Sequence, residues 1–171
     1  MNAEASISPE IFKQTMGLLA GGVCIAASAQ DGERQGLTVS AVCSLTLDPP
    51  TLVLCVNQSA GAHDMMCATK KVSINFLTSD QLELAALFSS SKVKGDQRFE
   101  ISNWTNLPSG IPGADGALAA LDCEIINEMK VGQHSVFACE IKHARLNTEK
   151  SSLVYFNRAF CEVAPLDKLP G

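Results

Sequence analysis

Along the chain, apolar residues fall into short runs whose spacing switches repeatedly between the two-residue period of strands and the three-to-four-residue period of helices. Ser8-Pro9-Glu10 is a helix start, with Ser8 as N-cap and Pro9 at the first helical position, and predicts a short helix to about Leu19. Gly21-Gly22 ends it. Val23 to Ala29 and the run beginning at Leu37 read as the arms of a hairpin whose polar tip holds Asp31-Gly32. Two β-prone runs, Leu37 to Leu47 and Thr51 to Val56, are joined across Asp48-Pro49-Pro50. Ala62 to Thr69 fits a short helix, and Val72 to Leu77 returns to strand. Thr78 and Gln81 form a capping box, after which Leu82, Ala85, Ala86 and Phe88 supply a helical apolar face. Ser89 to Ile111 is polar and punctuated by Gly95, Pro108 and Gly110, so it predicts a long irregular excursion. Ala117 to Met129, Ser135 to Leu146 and Leu153 to Phe156 are the last expected strands, with a turn at Gly132-Gln133. Many short strands with two or three short helices predict a mainly β fold, a single-domain β-barrel with helical decoration.

The chemistry concentrates between Gly36 and His63, where both β-prone runs end in small hydroxyl, amide or glycine residues. That segment offers no evident acid, base or nucleophile, so it suits a shelf for a flat polar molecule better than a hydrolytic centre. There is no G-x-G-x-x-G and no G-x-x-x-x-G-K-[ST], which argues against a dedicated dinucleotide or phosphate-loop domain. Ser89 and Lys92 match S-x-x-K, but the companion motifs of acylating serine enzymes are missing. His63, His134 and His143 have no metal-ligand spacing, and no metal is expected. His134 follows a turn at a strand start, where an imidazole reaches a pocket as readily as it sits on the surface. Asn57, Ser59 and Asn75 read equally as strand-end turn residues and as ligand contacts.

Composition narrows the setting. The chain has 171 residues, 46% of them apolar, which is enough to bury one core. A net charge of -5 and sparse lysines exclude a phosphate-backbone binder of nucleic acid. Seven cysteines without a C-x-x-C pair fit reduced thiols used as small apolar residues, Cys43, Cys55 and Cys67 among them, and predict a reducing cytoplasm. Met16 to Ala29 imitates a signal peptide, but the acidic leader and Gly21-Gly22 weigh against export, and no run reaches the ~20 apolar residues of a membrane span.

Read in order, several segments resemble the short-chain flavin reductase family, the small reductase components of two-component flavin-dependent monooxygenases. The most specific are Gly36-Leu37-Thr38-Val39-Ser40-Ala41-Val42-Cys43-Ser44 with Asp48-Pro49-Pro50, and Cys55-Val56-Asn57 with Ser59 and His63. Ile74-Asn75-Phe76-Leu77, Asp96 with Arg98-Phe99, Leu121-Asp122-Cys123, Gly132-Gln133-His134 and Leu153-Val154-Tyr155-Phe156 follow in the same order. The resemblance implies a split β-barrel of antiparallel strands, a homodimer that reduces FMN or FAD with NADH or NADPH and hands the reduced flavin to a partner oxygenase. It implies that Thr38, Val39, Ser40 and Ala41 lie along the isoalloxazine edge, that Cys43 and Ser44 continue that wall, and that Val56 lies beside them. It places Asn57, Ser59, Ala60 and Gly61 at the ribityl and phosphate end, Asn75 and Phe76 beside the flavin, and His134 near the nicotinamide. Gln133 replaces the family's acid beside that histidine, and Ser151-Ser152 replaces a proline before the last strand. Lys92, Lys94 and Arg98 read as surface charges or as contacts to AMP or phosphate. A flavoprotein of this fold that keeps its flavin for another acceptor, and a non-catalytic binding barrel, are the competing readings.

Overall fold

The computed structural model describes residues 7–164. The first helix, α1 (Pro9–Gly17), starts as expected, with the Ser8 hydroxyl accepting from the Ile11 amide at 3.2 Å, and ends two residues before Leu19. Twelve strands follow: β1 (Gly21–Gly22), β2 (Cys24–Gln30), β3 (Glu33–Val39), β4 (Val42–Leu47), β5 (Pro50–Asn57), β6 (Lys71–Phe76), β7 (Trp104–Asn106), β8 (Pro112–Ala114), β9 (Ala119–Val131), β10 (His134–Leu146), β11 (Leu153–Phe156) and β12 (Ala159–Glu162). Helices α2 (Gly61–Thr69) and α3 (Leu82–Ser89) flank β6 in sequence.

Seven of these strands form one antiparallel sheet in the order β3-β2-β6-β9-β10-β5-β4. Here the expected single strand from Leu37 to Leu47 breaks in two, because β3 and β4 stand at opposite edges and only Ser40 and Ala41 join them. Three virtual bonds from Val39 to Val42 span at most about 11 Å, whereas seven flat strands would separate the edges by about 29 Å. The sheet therefore curls until its edges approach at that link, and since β3 and β4 do not pair, the barrel stays split there. The Ala41 carbonyl accepts from the Cys55 amide at 3.0 Å and fixes the link to β5.

Inside the curl sit Leu52, Leu54, Val56, Val72, Ile74 and Phe137, and α2 closes the space with Ala62 and Met66. β2 is buried on both faces: Cys24 and Ala26 join this core, while Val23, Ile25 and Ala27 meet Leu84, Ala85 and Phe88 of α3. The capping box ahead of α3 is present in both directions, with Gln81 accepting from the Thr78 amide at 3.1 Å.

The stretch from Ser89 to Ile111 is more ordered than its composition predicts. It contains a 3-10 turn over Gly95–Phe99 and strand β7, which pairs with the unexpected β8. Phe99 and Trp104 pack on Phe88 with ring centroids 4.8 to 5.5 Å apart, so aromatic contact holds a loop that carries little local propensity. β12, also unexpected, pairs with β11, and β11 with β1, in a small separate sheet. Among the described residues no helix is long and apolar enough to cross a membrane.

Candidate functional site

Two cavities lie along the segment that the sequence singles out. The first, of about 650 Å³, is polar and forms where the edge strand β3, the turn after β5, the start of α2 and the end of α3 converge. Thr38, Ser59, Ala60 and Gly61 line it together, with Lys94 on its wall. Gln35, Gly36 and Leu37, to which the sequence reading assigns no ligand role, also line it, as do Ser89 to Ser91 of the region from Ser89 to Trp104 that the resemblance offers as a nucleotide contact. Ser59, Gly61, Ser89, Ser91 and Lys94 are exposed, so the cavity opens to solvent. Because β3 is an edge strand, every second residue leaves its backbone N–H and C=O free for a ligand.

Local chemistry gives this cavity donors that suit an anion. The Asn57 carboxamide accepts from the Ser59 amide at 2.9 Å and from the Ser59 hydroxyl at 2.8 Å, which turns the chain out of β5 and into α2. Ala60 is the N-cap of α2 and has no side chain to cap with, so the first-turn amides have no side-chain acceptor. On the opposite wall Arg98 is spent on structure. Its guanidinium donates to the carbonyls of Val93 (2.8 Å), Gly36 (2.6 Å), Phe88 (3.2 Å) and Ser90 (2.5 Å), and burial lowers its pKa from the ordinary value. That answers the open question about this charge: Arg98 clamps the loop to β3 and α3, and Lys94 is the exposed cation on the cavity wall.

The second cavity, of about 520 Å³, is an apolar groove on the other side of the Ser40-Ala41 link. Cys43, Ser44 and Phe76 line it, alongside Val42, Leu52 and Ile141. Cys43 is therefore exposed in a groove and not a core residue. Ser40 and Ala41 are exposed between the two cavities, and Val39 is buried against the core.

Of the expected positions, Val39, Ser40, Ala41, Val56, Asn57, Asn75 and His134 line neither cavity. Asn75 is wholly buried; its amide donates to the Ile25 carbonyl and the Ser73 hydroxyl, each at 3.1 Å, and accepts from the Ala114 amide at 2.7 Å. With its polar atoms satisfied inside the fold it has nothing to offer a ligand, which corrects the sequence expectation. Val56 likewise belongs to the core. His134 is exposed at the first residue of β10, opposite Asn57, and its carbonyl accepts from the Gln58 side-chain Nε2 at 3.1 Å. The Thr38 hydroxyl, though on the cavity wall, donates to the Ala85 carbonyl at 2.7 Å and ties β3 to α3.

All seven cysteines are free. Burial pushes the thiols of Cys24 and Cys139 up to about 12 and raises that of Cys123, so these three behave as apolar core groups.

The family model described as flavin reductase like domain matches residues 16–164. The FMN reductase (NADH) RutF of Pantoea ananatis strain LMG 20103 is 34% identical over 157 residues, which cover 92% of this chain and 82% of that protein. The protein of the same name from Stutzerimonas stutzeri strain A1501 is 35% identical over 156 residues, covering 91% of this chain and 89% of its own. Among solved structures, a crystal structure from Haemophilus somnus 129PT that carries a flavin-reductase assignment has a TM-score of 0.88 at 35% identity, covering 92% of this chain and 100% of that one.

Proposed function

Because the chain belongs to the flavin reductase like domain family, we propose that it is an NADH-dependent FMN reductase that releases reduced flavin to a partner monooxygenase. The observation that carries this reading is the pairing of a polar, cation-walled cavity with an apolar groove on either side of the Ser40-Ala41 link. A flavin needs both: an anion site for its phosphate and an apolar wall for its fused rings. The α2 amides of Gly61 and Ala62, the Ser59 hydroxyl and Lys94 fit the phosphate. Val42, Cys43 and Phe76 fit the rings, with Thr38 to Ser44 running between the two ends.

When bound, the flavin supplies a hydride acceptor for the reduced nicotinamide, and the protein's own work is alignment. With a flavin bound, the Ser59 hydroxyl, which here donates to Asn57, would be available to donate to the phosphate, one hydrogen bond of about 1 kcal/mol replacing another. The edge-strand amides of β3 would be available to the polar rim of the rings, and the groove side chains would exclude water from them. His134, directly across the ladder from Asn57, orients the nicotinamide; no side chain is required to carry the hydride.

An open cavity supports exchange of flavin with solvent and hence delivery to a separate oxygenase. The same reading has the chain act as one domain, in a reducing cytoplasm, as a homodimer. The deciding experiment is reduced-nicotinamide oxidation by the purified protein with FMN, FAD, riboflavin or no flavin added. Turnover that requires added FMN is expected. Turnover on a flavin that stays bound through gel filtration would favour the flavin-retaining reading, and no oxidation with any flavin would overturn both.

A further inference from the structure

The inward faces of β9 and β10, where α2 covers them, carry a cluster that the flavin reading does not use. His63 and Cys67 stand four residues apart on α2, so both side chains leave the same face of the helix. Glu128 of β9 faces them, aligned with Phe137 of β10 in the ladder, and Ser135 lies on that same inward face. The His63 Nε2 to Cys67 Sγ distance is 3.8 Å, Cys67 Sγ to Glu128 Oε2 is 3.7 Å, and His63 Nε2 to Glu128 Oε1 is 3.7 Å.

We propose that His63, Cys67 and Glu128 form a binding site for a divalent zinc-class cation. One donor atom from each of the three residues lies within 4.8 Å of the other two, a spacing that a small side-chain adjustment brings to the ~2.0 to 2.3 Å bond lengths of Zn²⁺ to nitrogen, thiolate and carboxylate. The donor set of one imidazole, one thiolate and one carboxylate is borderline in softness, which selects Zn²⁺ over Mg²⁺ or Ca²⁺. A second contact favours the same assignment: Asp64 Oδ1 lies 3.3 Å from His63 Nδ1, the outer nitrogen, where metal-bound histidines commonly find a carboxylate that leaves Nε2 free for the metal.

Without metal, Ser135 bridges the cluster, accepting from His63 Nε2 at 2.9 Å and donating to Glu128 at 2.7 Å. The Cys67 thiol lies 3.7 Å from the Glu128 carboxylate, so two groups that would repel as anions are held side by side. A bound cation relieves that repulsion: Cys67 gives its proton to solvent and coordinates as thiolate, and His63 releases its Nε2 proton and carries the ring proton on Nδ1 facing Asp64, so that Nε2 exchanges its Ser135 bond for the metal. Three protein donors leave a fourth position for water. His63 is buried, whereas the Glu128 side chain retains 19% exposure and Cys67 is half-buried, so the cation has a way in. The site would clasp α2, whose first turn lines the polar cavity, to β9 and β10.

The test is calorimetric titration of the full-length protein with Zn²⁺ under a non-thiol reductant, followed by Co²⁺ substitution read in the visible spectrum. One equivalent binding at micromolar or tighter affinity is expected, with a thiolate-to-cobalt charge-transfer band. Cys67→Ser and Glu128→Gln should each weaken binding at least tenfold; Glu128→Gln keeps an oxygen for Ser135 and so guards against loss of fold. A Cys43→Ala, Cys161→Ala double variant, which removes the two exposed thiols, should bind as the unaltered protein does. No binding, or affinity that survives Cys67→Ser and falls in the double variant, would overturn the proposal and leave a Ser135-bridged hydrogen-bond network. None of these readouts depends on flavin chemistry.

Discussion

At the scale of single residues, the polar cavity turns on Asn57 and Ser59. Each is an ordinary turn residue by type; their mutual hydrogen bonds fix the turn, and in the proposed reading the same turn presents the Ser59 hydroxyl to the phosphate. Replacing both by alanine is expected to weaken FMN by roughly 1 to 3 kcal/mol, since it removes the hydroxyl and frees the turn that aims it. Flavin fluorescence titration checks this, and unchanged affinity would move the phosphate elsewhere. Among the described residues His134 makes no side-chain hydrogen bond that would give it a structural duty, so His134→Ala should fold normally. The variant is expected to raise the KM for NADH about tenfold, ~1.4 kcal/mol, with little change in FMN binding. Steady-state kinetics at saturating FMN separates the two effects. Residue type alone misled at Asn75, because the sequence shows an amide near a strand end but not the three partners that consume it.

At the scale of elements, the contact of β3 with α3 sets the inner wall of that cavity. Gly36 sits where a Cβ would meet the Phe88 ring at 2.7 Å and the Ala26 carbonyl oxygen at 3.2 Å. Phe88 is fully buried and cannot retreat, being packed on Phe99 and Trp104. Gly36→Ala is therefore expected to destabilise the fold by about 1 to 3 kcal/mol, measured as a lower midpoint in chemical denaturation without a change in slope. An unchanged midpoint would show that the ring moves freely. Most helices and strands were legible from spacing and caps: the Ser8 N-cap, the Thr78-Gln81 box, and the runs that became β2, β5, β6, β9 and β10. The Ser89 to Ile111 segment was not, since its order comes from Arg98 reaching four carbonyls and from aromatic contacts with residues distant in sequence.

At the scale of the whole molecule, the sheet's open edge matters most. β4 is paired on one side only, and its apolar side chains Leu45 and Leu47 stand in solvent, Leu47 at 91% exposure. Met129 and Val131 at the end of β9, and Leu146 at the end of β10, add exposed apolar area. A bare edge with apolar side chains calls for cover, and a second copy supplies it in the proposed homodimer. Light scattering at micromolar concentration is expected to give twice the chain mass, and Leu47→Lys should shift the equilibrium toward monomer. A monomer at every concentration would contradict the dimer.

The sequence by itself determined the β-rich class, the helix starts, the turn positions and the ordered motifs that carry the family, because these depend on spacing and on residue conformation within a few positions. Tertiary structure alone decided that the Leu37 to Leu47 run breaks at Ser40-Ala41. Seven-strand pairing must close on itself within a two-residue link, and no local preference encodes that. It also set some of the expected site residues in a polar cavity and others in an apolar one, and it brought Cys67, with His63 beside it, to Glu128 across 61 positions of sequence. The reason is the same in each case: strand order and sheet curvature are properties of long-range pairing, and a side chain's chemistry depends on which distant groups that pairing sets beside it.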